Sequence, residues 1–440
     1  MNYQAIIEKG LSLGLTEIEL FESSSISNQI TYFQNQVNTY TLSNTKTLSM
    51  RGKYNGQMGY ASTEDFSDEG INQCLNCVLM NAKYLSSTDV DFMFEGGATY
   101  QEVTNQKADF EDVSFDEKVA FLKNLEQRLI NFDKRVVNVE LDFIEKASKQ
   151  RIINSYGIDL EKEYSYMIFY AQVVAADGQN TAAKFEAGVG TKFKELDADE
   201  VYNKITKSVI DSLGAGFVET GKYPVVLSRD VASSIISAFS RVFSGEAAMR
   251  KLSILTDKVN TLVFGENITI INDPFTDMAL FKESFDDEGV PCQTIEVVKD
   301  GIFTGFLHNL RSAKFFNQAP TGNGFRRGAS TSASPINLHV KEGNYSEDDM
   351  IKSIEKGLLI TDVQGLHAGL NPISGNFNVQ STGFVIENGK LSRPVTLFVL
   401  SSNFFEMLNM VEMIGNNTEP NFNGVASPSL KIKEVQISGK

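Results

Sequence analysis

Few residues in this chain of 440 could do bond-breaking chemistry: it has three histidines, three cysteines and no tryptophan. A hydrolytic zinc ion needs two or three ligands in fixed geometry, most often two histidines on one helix face with a glutamate beside them. His308, His339 and His367 stand about 30 residues apart, none precedes a glutamate, and HExxH does not occur. A serine nucleophile on a strand-to-helix elbow would show as GxSxG, which is also missing. Cys74 and Cys77 fall on one predicted helix with Leu75, Val78 and Leu79 and read as buried small hydrophobes. Cys292 follows Gly289-Val290-Pro291 with no histidine close in sequence. The expectation is no catalytic residue and no metal site in this chain.

Binding chemistry is better represented. Thr321-Gly322-Asn323-Gly324-Phe325-Arg326-Arg327-Gly328 combines three glycines that free the backbone with two guanidinium groups suited to carboxylate or phosphate. No Walker lysine accompanies it, so a phosphate cradle has weak support. Two readings stay open: an anion-recognising wall of a peptide cleft, or a tight turn with arginines facing solvent. Asp286-Asp287-Glu288-Gly289 lacks the every-second-residue oxygen spacing of a calcium loop and reads as a charged turn. Gly365, Gly369, Gly375, Gly383 and Gly389 punctuate a stretch rich in Phe and Val, consistent with close backbone approach or with bends in a curved sheet.

The elements that must carry these residues follow from hydrophobic period. Ile6, Ile7, Leu11 and Leu13 give a first helix. Alternating residues from Ile18 to about Ala61 give several strands, divided by turn clusters at Ser43-Asn44-Thr45 and Tyr54-Asn55-Gly56. A helix opens near Thr63 or Ser67 and runs to about Tyr84, and the polar segment 87–112 connects onward. The pattern then recurs: a helix from Ser114 to Ile130, strands from Val136 to Lys192, and a helix from Asp197 to Leu213. Gly214-Ala215-Gly216 and Glu219-Thr220-Gly221-Lys222 read as a linker. Beyond it come a strand at Tyr223–Leu227, a helix near Asp230–Phe243, and strand-like runs between glycine turns without regular βαβ spacing. The class is therefore α+β, with residues 1–220 as two helix–meander–helix units and 221–440 as a second domain holding the cleft.

Composition bounds the rest. Hydrophobic residues at 42% and only 9 prolines describe an ordinary folded protein with ample core. The net charge of −16, with no basic run, disfavours a nucleic-acid surface. Up to residue 220 there are 20 basic and 33 acidic residues, and after it 20 and 23, so the nearly neutral second half is the better place for a cleft. Glu8 and Lys9 interrupt the place where a secretion signal would be apolar, and nowhere do 18 apolar residues run together. With three cysteines and no complete disulfide framework, a cytoplasmic protein with no membrane span is expected.

The ordered set Pro224-Val225-Val226-Leu227, Asn272-Asp273-Pro274, Asp287-Glu288-Gly289-Val290-Pro291, Thr321-Gly322-Asn323-Gly324 with Arg326, Ser374-Gly375-Asn376-Phe377, Gly383 with Glu387-Asn388-Gly389, and Ile414-Gly415-Asn416 resembles the TldD/PmbA family. Pro428-Ser429 and Val435-Gln436-Ile437-Ser438-Gly439 fit as well, and the likeness is to the PmbA, or TldE, branch over essentially the whole chain. The resemblance implies a cytoplasmic metalloprotease system acting on peptides or unfolded proteins, in which a TldD-type subunit carries an HExxxH zinc helix. Here the equivalent helix has Ser237, Ala238 and Val242 in the places of the first His, the Glu and the second His, and none of these can bind zinc or act as a base. What the resemblance then implies is a partner-dependent, dimeric subunit with zinc held by a TldD-like protein and no cofactor of its own. Asn323 and Arg326 would touch an extended peptide, and Gly322 and Gly375 would let its backbone approach. The other two readings are an autonomous hydrolase using one of the histidines, and a homodimeric interaction protein of the kind the older label, modulator of DNA gyrase, suggests.

Overall fold

A computed structural model describes residues 1–84, 91–178, 180–327, 330–419 and 424–440. Residues 87–90 of the connection read above, and Gly328, lie outside them.

The chain is α+β, as its periodicity indicates. Helix α1 (Tyr3–Ser12) leads into strands β1 (Glu17–Phe33), β2 (Gln36–Tyr54) and β3 (Gln57–Thr63), and α2 (Asp68–Tyr84) closes the first unit. The second unit repeats the order with α3 (Phe115–Asn131), β4 (Val136–Asn154), β5 (Asp159–Asp177), β6 (Asn180–Gly190) and α4 (Ala198–Leu213). Ser114 caps α3 through a reciprocal capping box with Glu117, which satisfies two amide donors at its start. The two units meet through antiparallel pairing of β1 with β4, Glu19 opposite Asn154 through Phe33 opposite Glu140. The result is one six-stranded sheet in the order β3-β2-β1-β4-β5-β6.

Because strand side chains alternate between faces, one face of this sheet is apolar and buried under helices. Ile18, Leu20, Leu48 and Met50 pack with Ile71, Leu75 and Val78 of α2. Leu141, Phe143, Phe169 and Val173 pack with Leu122, Leu129, Ile205 and Val209 of α3 and α4. At Gly59 the β3 backbone runs so close to α2 that a Cβ would lie 2.0 Å from the Val78 carbonyl oxygen, so no side chain fits there. The opposite face carries Glu19, Phe21, Arg51, Ile152 and Lys162 toward the second half of the chain.

Two details correct the expectation for the first unit. Ser43-Asn44-Thr45 is not a turn but part of β2, which runs unbroken for 19 residues, and the reversal comes earlier at Gln34-Asn35, both at positive φ. Cys74 is buried but Cys77 is exposed, because it lies off the apolar stripe of α2 made by Ile71, Cys74, Leu75, Val78 and Leu79.

After α4 the chain enters a second sheet. Its strand β7 (Gly221–Leu227) lies parallel to Lys356–Gln364 and antiparallel to Leu430–Ser438. Asn376–Glu387 and Lys390–Asn403 extend this sheet, and Lys390–Asn403 also pairs with Leu430–Ser438, which closes five strands into a ring. Helix α5 (Arg229–Phe239) buries Val231, Ile235, Ile236 and Phe239 against it. Phe239 stacks on Phe404 at 4.6 Å between ring centroids, and Phe264 meets Phe404 edge-on at 5.7 Å, in the largest core of the molecule. A second small sheet and the hairpin Gly324–Arg327 with Ser330–Ala333 bring the segments around 272, 286–292 and 321–334 against the N-terminal sheet.

Candidate functional site

The seam between the two halves holds most of the buried charge. Glu19 and Arg51 are register partners on β1 and β2. Arg51 donates through Nε and Nη2 to the two carboxylate oxygens of Glu19 at 2.7 and 3.1 Å, a bidentate pair. Burial works against the Arg51 charge, but Glu19 and Glu288 outweigh it and hold its pKa above the usual value. Arg326 donates to the same Glu19 oxygen, gives its Nε to the Asp287 carbonyl at 3.2 Å, and lies 4.4 Å over the Phe21 ring. Lys162 of β5 reaches Asp287 at 3.0 Å and Glu283 at 3.2 Å, and Tyr164 donates to Glu283 at 2.7 Å. Burial pushes the Asp286 and Glu288 carboxyls up. Amides of Glu288, Val290 and Gly324 limit the rise at Asp286, and Arg51 limits it at Glu288.

Asp286, Asp287 and Glu288 form the expected charged turn, closed by the Gly289 amide on the Asp286 carbonyl at 3.1 Å, but all three are buried. Arg326 is not a solvent-facing arginine: its side chain is 6% exposed and spent on Glu19, Asp287 and Phe21. Asn323 is fully buried, accepting from Thr321 Oγ1 at 2.7 Å and donating to the Ser334 carbonyl at 2.9 Å and Asn272 Oδ1 at 3.2 Å. Gly322 is buried at φ +73° against Pro291 and Cys292. Gly375, at φ +81°, sits apart from these three in a turn against Phe405 and Asn403. Of these three, Arg326 joins the two halves through Glu19 and Phe21, whereas the contacts of Gly322 and Asn323 lie within the second half. The buried Glu19 partner of Arg326 lies 307 positions away in the chain, and no local signal marks it.

The more open surface runs along β6, which sequence reasoning did not single out. This is the last strand of its sheet and pairs only with β5. Its Lys184 bridges to Asp362 of the second half at 3.1 Å. Glu186 has a raised pKa, first from burial and further from Asp230 in the first turn of α5, against the pull of Lys204. Beyond Val189 a cavity of about 300 Å³ opens between β6, Asn105, Gln106 and Leu280. Among the described residues no strand lies outside β6, and its Glu186 comes within electrostatic reach of Asp230 in the first turn of α5. On that helix Ser237 and Ala238 are half-buried, and Val242, just past its end, belongs to the core. These side chains offer a hydroxyl, a methyl and an isopropyl group, a donor set that does not fit zinc.

The histidines sit in three different settings. Among the described residues no group of three or more His, Cys, Asp or Glu is placed to hold a metal. His308 is buried with Nδ1 3.1 Å from Ser312 Oγ, and burial pushes its pKa down to about 4. His339 lies near the Asn337 carbonyl, and His367 is on the short helix Leu366–Gly369. Cys292 donates to the Gly322 carbonyl at 3.2 Å, and burial pushes its thiol up, away from the nucleophilic thiolate.

His308 supplies a pH prediction. Its folded pKa is lower than the ordinary value near 6.5, so the unfolded chain binds the proton first and stability falls as pH drops from about 6.5 to about 4. The contribution is about 3 kcal/mol. Denaturant unfolding at pH 7 and pH 4.5 should show wild type losing more stability than His308→Gln over that interval; equal losses would refute it.

Comparison with known proteins agrees with this architecture. Family models described as PmbA/TldA metallopeptidase domain 1, central domain and C-terminal domain match residues 18–82, 108–213 and 220–439. The chain belongs to the PmbA/TldD metallopeptidase family. Among its relatives, the metalloprotease PmbA homolog of Buchnera aphidicola is 25% identical over 87% of this chain and 84% of that one. Metalloprotease PmbA of Escherichia coli O157:H7 is 23% identical over 96% and 92%. A Thermotoga maritima crystal structure named for modulation of a DNA gyrase superposes with a TM-score of 0.91 at 25% identity, covering 99% of both chains. TldE from Thermococcus kodakarensis superposes at 0.89 with 23% identity, covering 99% of this chain and 100% of that one, and shares the fold. No helix among the described residues is long and apolar enough to cross a membrane.

Proposed function

We propose that this chain is a PmbA/TldE-like, non-catalytic subunit of a zinc-dependent protease system, and that it receives extended peptides or unfolded chains while a TldD-like partner supplies the metal. The observation that carries this reading is the set Ser237, Ala238 and Val242 at α5, where the family pattern calls for His, Glu and His. Chemistry by this chain alone would need a base and a metal ligand, and the residues there supply neither.

Its own contribution is to bind and orient. A peptide lying beside β6 as an added strand gains main-chain hydrogen bonds that do not depend on its sequence, which suits a permissive protease. Lys184 and Glu186 on that strand would bias the charge of what is accepted, and α5 would form the far wall. The binding residues are thus sought at β6, while Arg326 acts by holding the seam and Gly322 and Asn323 by packing the second half behind it. Three cysteines free of disulfides suit the cytoplasm, where we expect the system to work.

The test is cleavage of an unfolded protein with purified components. This chain alone should show no zinc-dependent cleavage. Adding a TldD-like protein bearing the HExxxH helix should give cleavage that a chelator abolishes. Zinc-dependent cleavage by this chain alone would refute the proposal.

A further inference from the structure

The two faces of β6 differ, so an extended chain added beside it would be read differently on each. In an antiparallel pair every second residue turns its main-chain N–H and C=O away from the partner strand. Among the described residues no main-chain group of Asn180–Gly190 donates or accepts outside the ladder with β5. The edge ends at Thr191, whose carbonyl accepts from the Asp109 amide at 3.1 Å and whose hydroxyl donates to Gln106 at 2.9 Å.

One face is apolar. Phe185 lies opposite Gln172 and Ala187 opposite Tyr170, on the side of the sheet where Lys162 meets the second half. Phe185 stacks on Tyr170 at 5.1 Å between ring centroids and is still 60% exposed. Val189 follows on the same face, roughly 13 Å further along the strand at about 3.3 Å per residue. It lines the cavity of about 300 Å³ together with Ala279 and Leu280.

The other face is acidic. Glu186 lies opposite Ala171, which is buried in the core under α3 and α4. Lys184 and Lys204, the cations that act on Glu186, are engaged with Asp362 and Glu200. Glu186 itself has no hydrogen bond or ion pair among the described residues, and Asp230 adds negative charge beside it. A half-buried carboxylate in this position is matched by a cation that the ligand brings.

We propose that β6 selects extended segments whose apolar residues alternate with a lysine or arginine. The apolar side chains lie over Phe185 and enter the cavity at Val189, and the basic side chain between them, on the opposite face, pairs with Glu186. That alternation is the pattern of an amphipathic strand, apolar toward a core and polar outward, which a folded protein hides and an unfolded one exposes. A net charge of −16 favours the approach of basic segments. The selectivity rests on β6 being the peptide strand, as proposed above, and adds a preference to it.

Three labelled nonapeptides test it, each alternating threonine and valine, with lysine, glutamine or glutamate in place of the central threonine. Fluorescence anisotropy with the full chain should show the lysine peptide binding about two- to fivefold more tightly than the glutamine peptide, the range of a partly exposed ion pair, and the glutamate peptide binding most weakly. Glu186→Gln should make the lysine and glutamine peptides bind alike, whereas Phe185→Ser should weaken all three and keep their order. Equal affinities of the three peptides for wild type, or a lysine preference that survives Glu186→Gln, would overturn the selectivity, while weakening by Phe185→Ser would still uphold β6 as the peptide strand. No binding of any of the three would overturn both.

Discussion

Glu19→Ala is expected to cost about 3–5 kcal/mol of stability, the range for removing one partner of a buried ion pair. The size follows from the position of the carboxylate. Glu19 is fully buried on β1 and accepts from two guanidinium groups, Arg51 of its own sheet and Arg326 of the other half. Alanine leaves both cations buried without their shared anion. The nearest remaining acids are already engaged: Asp287 with Lys162 and the Arg326 amide, and Glu288 with the Leu310 amide and Thr331. Loss of the pair should lower the denaturant midpoint and open the seam first, so hydrogen exchange should rise around residues 286–291 and 322–327 before it rises in α3 and α4. Glu19→Ala combined with Arg326→Met should recover part of the loss, since Met keeps the apolar contact over Phe21 and removes one stranded charge. A change below about 1 kcal/mol for Glu19→Ala, the range of exposed pairs, would show that the network is solvated rather than a clamp.

The same network marks the limit of what could be read from sequence. Elements with local causes were legible. Helix α3 was visible from Ser114 and Glu117 with apolar residues at helical spacing, α4 from Asp197 and its stripe of Val201, Ile205 and Val209, and the turn at Asn55-Gly56 from residue types that tolerate positive φ. Elements whose character depends on distant partners were not. Asp286-Asp287-Glu288 looks solvated because acids in a turn usually are, and only the arrival of Arg51, Arg326 and Lys162 from other elements makes burial tolerable. Ser43-Asn44-Thr45 has turn chemistry, yet pairing with Ser25, Ile26 and Ser27 of β1 overrides it and keeps β2 straight. The family resemblance located the segments that matter but not the direction they face.

That distinction decides what the buried glycine Gly322 means. Had Gly322 lined an open cleft, a small side chain there would leave folding intact and weaken peptide binding. Its surroundings imply the reverse. The backbone is at φ +73°, where a residue with a Cβ is disfavoured by roughly 1–2 kcal/mol. A Cβ would also lie 2.3 Å from the Pro291 carbonyl oxygen and 2.7 Å from the Cys292 amide nitrogen, contacts with main chain that no rotamer relieves. Overpacking of that kind adds about 1–3 kcal/mol. Gly322→Ala should therefore lose roughly 2–5 kcal/mol, the sum of these two costs. It should also break the hydrogen bond from Cys292 to the Gly322 carbonyl, and reaction of the Cys292 thiol with a soluble reagent should quicken well below the unfolding midpoint. Gly375→Ala provides the contrast, because its first obstruction is the movable ring of Phe405 at 2.9 Å, and it should cost less. A Gly322→Ala protein with wild-type melting and weakened peptide binding would return this glycine to the peptide site and remove it from the packing around Cys292.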